Sequence, residues 1–105
     1  MHIYAILDTK AGSIIGGLQL HRHPAAAIRV FGDIAADPKS MIAKHPEDYE
    51  LIELGTLRDD HTIAKTFNHT IDALDEHQVI ITGKAWLAAQ APTDVEHKLQ
   101  LARES

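Results

Sequence analysis

The chain has 105 residues, 45% of them hydrophobic and 24% charged, with no cysteine and a formal net charge of −5. This length supports one domain with one modest core, and the lack of cysteine excludes disulfides, thiolate metal sites and cysteine nucleophiles. No apolar run approaches the roughly 20 residues needed to span a bilayer. The opening MHIYAILDTKAG carries no basic n-region or cleavage site, so a cytoplasmic protein is expected.

HIYAIL (2–7) predicts a strand, with Ile3, Ala5 and Leu7 on one face and Tyr4 and Ile6 on the other. DTKAGS (8–13) is turn chemistry: Asp8 can hold backbone N–H groups and Gly12 can take positive φ. IIGGLQLH (14–21) predicts the return strand of a hairpin, its glycine pair marking a bulge or a close backbone approach. PAAAIRVFGDIAAD (24–37) predicts a helix. Pro24 suits its first position, Ile28, Phe31, Ile34 and Ala35 share one face, and Arg29 can pair with Asp33. Asp37-Pro38 ends it, and KSMIAK (39–44) allows a short helical turn capped by Ser40.

YELIELGTLR (49–58) alternates with both faces apolar, which predicts a central strand. DDHT (59–62) reads as a loop and TIAKTFN (62–68) as a return strand. TIDALDEH (70–77) reads as one or two helical turns, QVIITG (78–83) as a short strand, and KAWLAAQAP (84–92) as helical or irregular. TDVEHKLQLARES (93–105) opens on a Thr93-x-x-Glu96 capping box and carries the stripe Val95, Leu99 and Ala102, predicting a C-terminal amphipathic helix. The expected architecture is a single α+β domain over 1–105. A β-β-α-β-β core over 1–68 forms a small antiparallel sheet with one main helix across a face, and 69–105 form an acidic C-terminal part.

The acidity is uneven. Residues 1–58 hold six Lys/Arg against seven Asp/Glu, and 59–105 hold four against eight. The net charge opposes non-specific DNA binding, yet leaves room for a basic patch in the first half. Four of the eight histidines, His2, His21, His23 and His45, also lie there, so affinity for a polyanion would rise as they protonate.

Three stretches invite a chemical reading. His21-Arg22-His23 places two histidines at i,i+2 on an extended segment, half of a zinc or copper site that His45 or a carboxylate could complete; the plainer reading is a solvated strand end. DTKAGS offers Lys10 to a phosphate, but has neither the P-loop nor the dinucleotide-binding glycine pattern. In KHPEDYE, His45, Glu47 and Asp48 offer acid–base groups or hard-metal ligands; the plainer reading is a proline-stiffened corner feeding the strand at Tyr49. No G-x-S-x-G elbow occurs. No catalytic residue and no cofactor are expected, and the metal candidates are confined to His21, His23 and His45. Tyr4 and Tyr49, if neighbours on an open sheet face, could stack bases, or could simply cover the sheet.

YAILDTKAG, AIRVFGDIAADPKS and KHPEDYELIELG, in that order over roughly the first 58 residues, resemble the small non-structural protein of gokushovirus-type microviruses, tiny single-stranded DNA phages. The D-[ST]-K-A-G turn, the R-x-F-x-D helix, the D-P pair and the K-H-P-E-D-Y run carry the likeness together. IIGGLQL departs from the prolines and aromatics that often follow the family's first turn, and the likeness stops at about residue 59, leaving 69–105 as a lineage-specific part. The resemblance implies a protein of the infected bacterium's cytoplasm, absent from the mature virion and linked to DNA replication or binding. It brings no catalytic residues.

The leading expectation is a non-enzymatic phage accessory protein for replication or packaging of the single-stranded genome. It would act as a homo-oligomer on single-stranded DNA, on phage or host replication proteins, or on both, with no membrane. Lys10, Arg22, Arg29, Lys39 and Lys44 would contact nucleic acid, with Tyr4 and Tyr49 stacking. The alternatives are a protein–protein module, a scaffold or host-factor modulator, and a metal-dependent enzyme using the histidines.

Overall fold

The computed structural model describes residues 1–61 and 67–90, with side chains for 1–58 and 70–90. Strand β1 (His2–Asp8) forms a hairpin with β2 (Ser13–His21), and helix α1 (Pro24–Ala36) follows. A short helix α2 (Met41–Lys44) and a 3-10 turn (Pro46–Asp48) lead into β3 (Tyr49–His61), β4 (Phe67–Thr82) and helix α3 (Gly83–Gln90). The four strands form one antiparallel sheet in the order β2-β1-β3-β4. This is the α+β architecture the sequence predicts, with β3 inside the sheet.

Local chemistry sets the first hairpin. Asp8 Oδ1 accepts from the N–H groups of Lys10 and Ala11 at 3.0 and 3.1 Å, and Gly12 adopts φ 66°. The glycine pair forms a bulge. The register slips between Tyr4↔Gln19 and Ile6↔Ile15, and Gly16 takes φ 70°, a conformation glycine adopts without a Cβ clash.

Cross-strand partners share a face. The pairs Tyr4↔Glu53, Ile6↔Leu51 and Asp8↔Tyr49 therefore put Tyr4, Ile6, Leu51 and Tyr49 on one side. That side meets α1: these four cluster with Ala27, Phe31, Ala35 and Ile42. Each large apolar side chain buried this fully contributes about 1.5–3 kcal/mol. The helix stripe runs Ala27–Phe31–Ala35, one residue every four, with Ile28 packed beside it; Ile34 lies on the flank, 38% exposed. The expected Arg29–Asp33 pair is not among the ion pairs of the described residues. A cation N-terminal to its carboxylate is the weaker order on a helix.

The corner after α1 folds as its sequence suggests. Ser40 caps α2 by accepting from Ala43 N–H at 3.1 Å, and Pro46 opens the 3-10 turn. At the same end of the sheet, Thr82 Oγ1 accepts from Ala85 N–H at 3.0 Å and starts α3. Helix α3 then places Trp86 against α1, where a Cβ on Gly32 would lie 2.6 Å from Trp86 Nε1.

The second half differs from the pattern reading. β3 runs through Asp59–His61, where a loop is expected, and 70–77 are strand rather than helix. The physical reason is pairing. β3 is longer than β1: Leu57 exchanges backbone bonds with Met1, just before β1, and beyond it β3 is paired by β4 alone, from Arg58↔Thr70 to His61↔Phe67. The core consequently does not end at 68, because β4 carries the same sheet to Thr82. Of the return strand expected over 62–68, Phe67 and Asn68 lie in β4, while 62–66 and the helix expected over 93–105 lie outside the described residues.

Candidate nucleic-acid interface

β1 rises about 3.3 Å per residue, so its His2 and Asp8 ends stand roughly 20 Å apart. The strand thus gives the domain two polar ends, and α1 runs from one towards the other.

At the Asp8 end the hairpin turn docks on the corner. Thr9 N–H and Thr9 Oγ1 both donate to the Asp48 carbonyl, at 2.8 and 3.0 Å. Lys10 Nζ lies 3.7 Å from Asp48 Oδ2. Ligand atoms of His45, Glu47 and Asp48 lie within 4.8 Å of one another, but His45 and Glu47 are exposed and Asp48 already faces a lysine. The main-chain bonds define this region as a structural joint.

At the His2 end, the sheet face beneath α1 turns polar. His2 stands opposite His21, Tyr4 opposite Gln19 on one side and Glu53 on the other. His2 Nδ1 lies 2.6 Å from Glu53 Oε1, and His21 Nε2 lies 3.1 Å from Gln19 Oε1. The His21–Gln19 contact is an i,i+2 pair on β2, while the His2–Glu53 contact comes only from the pairing of β1 with β3.

Of the metal groupings read from the sequence, His45, Glu47 and Asp48 come together, whereas His21, His23 and His45 do not. His21 lies at the His2 end and His45 in the corner at the Asp8 end. His23 is past the strand, an exposed residue at the start of α1, so the i,i+2 alternation that would aim it with His21 does not reach it. Both aromatic candidates are also corrected. Tyr4 is 0% exposed and Tyr49 5%, because they lie under α1 and not on an open face. Neither offers a ring to a base. Burial, then the charge of Glu53 and its hydrogen bonding, raise the Tyr4 hydroxyl above its usual pKa; burial, then Asp8 and Asp48, do the same for Tyr49.

The basic candidates are all exposed. Arg22 precedes α1, Arg29 lies on its outer side, Lys39 and Lys44 follow it into the corner, and Lys10 stands on the hairpin tip beside that corner. Residues 22–44 hold four cations and two carboxylates, against six and thirteen in the rest of the chain. Among the described residues, no ion pair engages Arg22, Arg29, Lys39 or Lys44. The segment that forms α1 and the corner thus carries more cations than carboxylates in an acidic chain.

No helix among the described residues is long and apolar enough to cross a membrane. No curated protein and no solved structure matches the chain. A family match covers residues 1–84, running past the Lys10 turn, α1 and the corner through the whole of β4. The chain belongs to the Phage ORF5 protein family.

Proposed function

We propose that this phage protein is a non-enzymatic accessory factor for replication or packaging of a single-stranded DNA genome. It works in the host cytoplasm, outside the mature virion, and binds single-stranded DNA across its helical layer. The observation that supports this reading most is the charge separation: residues 22–44 are net positive in a chain of net −5. A phosphate backbone lying along α1 would meet Arg22, Arg29, Lys39 and Lys44, with Lys10 at the corner. Because both tyrosines are buried, binding on this layer would rest on phosphate contacts and not on base stacking, and would be sequence-tolerant and sensitive to salt. Fluorescence anisotropy of a labelled oligonucleotide over a salt series tests it. Affinity should fall as salt rises and as pH rises from about 6 through the histidine range. No binding at low salt and about pH 6 contradicts the DNA reading.

A second reading, a module that binds replication proteins or further copies of itself, is favoured by the sheet edges. β2 and β4 are the outer strands, and they expose Leu18 (61%) and Ile71 (65%). Paired edges of this kind are common protein–protein contacts. Pull-down from infected cells separates the readings: recovery of a replication protein in nuclease-treated extract supports the module, and loss of all partners on nuclease treatment supports DNA.

A further inference from the structure

We propose that a second copy of this chain covers the open face of the sheet, the face turned away from α1, and that the protein is a twofold dimer joined sheet to sheet. The proposal rests on the reading of the protein as a module that binds further copies of itself. It deepens that reading by placing the contact on the face of the sheet and not at its edges. It does not depend on DNA binding.

The register defines this face. Ile3↔Leu20 and Leu7↔Ile14 join β1 to β2 on it, and Ala5↔Ile52 and Ile52↔Val79 carry it across β3 to β4. Leu18 lies two residues from Leu20 and alternates onto the same side. The helices occupy the other side: Phe31 of α1, Ile42 of α2 and Trp86 of α3 all pack with the Tyr4 cluster. Among the described residues, no helix covers the open side. Ile3, Ala5 and Ile52 are buried there, outside the Tyr4 cluster, and exposed apolar side chains flank them: Ile14 (42%), Leu18 (61%), Leu20 (46%) and Val79 (44%). An exposed leucine standing alone is ordinary, but four such side chains on one continuous face mark an interaction surface.

Charge and area select the occupant. β1, β2 and β4 contain no lysine or arginine, and β3 contains only Arg58, which alternates to the opposite side from Leu57. Glu50, opposite Leu7, stands at the margin of the face. Such a surface offers nothing to a nucleic acid or to a strongly charged partner. It is complementary to an identical surface, which a twofold axis sets opposite it. Strands about 4.8 Å apart that rise about 3.3 Å per residue give four strands, over the seven-residue length of β1, a face of roughly 450 Å2. Two such faces bury on the order of 1,000 Å2, the scale of a specific but weak interface. Sheets packed face to face stand about 10 Å apart. The two α1 helices then face outwards, and Arg22 and Arg29 of each copy stay clear of the contact.

The test is sedimentation equilibrium of the full chain without nucleic acid, at concentrations up to about 100 μM, with folding followed by circular dichroism. The mass should approach twice the 11.6 kDa of one chain. Leu18 on β2 and Val79 on β4 lie on opposite outer strands but on one face. Leu18→Lys and Val79→Lys should therefore each weaken the dimer by about tenfold or more, while Met41→Lys on the helical side leaves it unchanged. Added salt should tighten the dimer, because each copy carries −5, whereas it weakens binding to DNA. A wild type that stays monomeric overturns the proposal and leaves the face to residues 91–105 of the same chain or to a different protein. A dimer weakened by only one of the two lysines overturns it in favour of an edge contact, with self-association left standing. A dimer weakened by neither overturns it as well. A second measurement needs no variant. On dilution of the wild type, methyl resonances of Ile14, Leu18, Leu20 and Val79 should shift, and shifts confined to Ile34 and Met41 overturn the proposal.

Discussion

Trp86 on α3 fills the space that a side chain at Gly32 on α1 would need. Trp86 lies just beyond the family match, which ends at residue 84, yet it packs against the core that the match defines. The contact fixes α3 over the same sheet face as α1, so it tests the architecture on which the candidate interface depends. In an open helix position Gly→Ala stabilises by up to about 1 kcal/mol. Here the added methyl must displace an indole, and Gly32→Ala should instead destabilise by about 1–3 kcal/mol in urea unfolding. A stabilised variant would contradict the contact.

The two tyrosines should titrate late. Both hydroxyls are pushed above the ordinary value near 10, chiefly by burial. In the unfolded chain they ionise near 10, and in the folded chain only above that. Above about pH 10 the unfolded state therefore holds fewer protons, and stability falls as pH rises; below it neither group contributes to the pH dependence. Ultraviolet titration of tyrosinate should show both groups ionising late, with ordinary behaviour restored in denaturant. An ordinary titration of either in the folded protein would return that ring to the surface, and with it a role in base stacking.

Ser40→Ala removes the hydroxyl that accepts from Ala43 N–H at the start of α2. The expected loss is about 1 kcal/mol, measured by thermal or urea unfolding. Because α2 sets the corner and leaves the Arg22 and Arg29 positions untouched, oligonucleotide affinity should change little.

Much of the first half is legible because its signals are local. Asp8 and Gly12 announce a turn, Gly16-Gly17 a bulge, Pro24 a helix start and Ser40 a cap, and each does that work in the fold. β4 is not legible. Its 70–77 stretch, TIDALDEH, is exposed throughout and its Ile71 and Leu74 sit at helix-like spacing, so pairing with β3 and not local pattern makes it a strand. The tyrosines mislead for a different reason. β1 is apolar on both faces, so alternation cannot say which face α1 covers, and the helix covers the Tyr4 side. The His2–Glu53 contact escapes notice because cross-strand register, invisible in linear spacing, is what forms it.

The central claim is that single-stranded DNA lies on the positive helical layer, and oligonucleotide anisotropy with an Arg22→Ala/Arg29→Ala variant tests it most directly. With four phosphate contacts the wild type should show a log–log salt slope of about −3. The double variant should bind more weakly, with the slope shallower by about 1.4. An unchanged affinity and slope in the variant, or no binding by the wild type at low salt, would contradict the account.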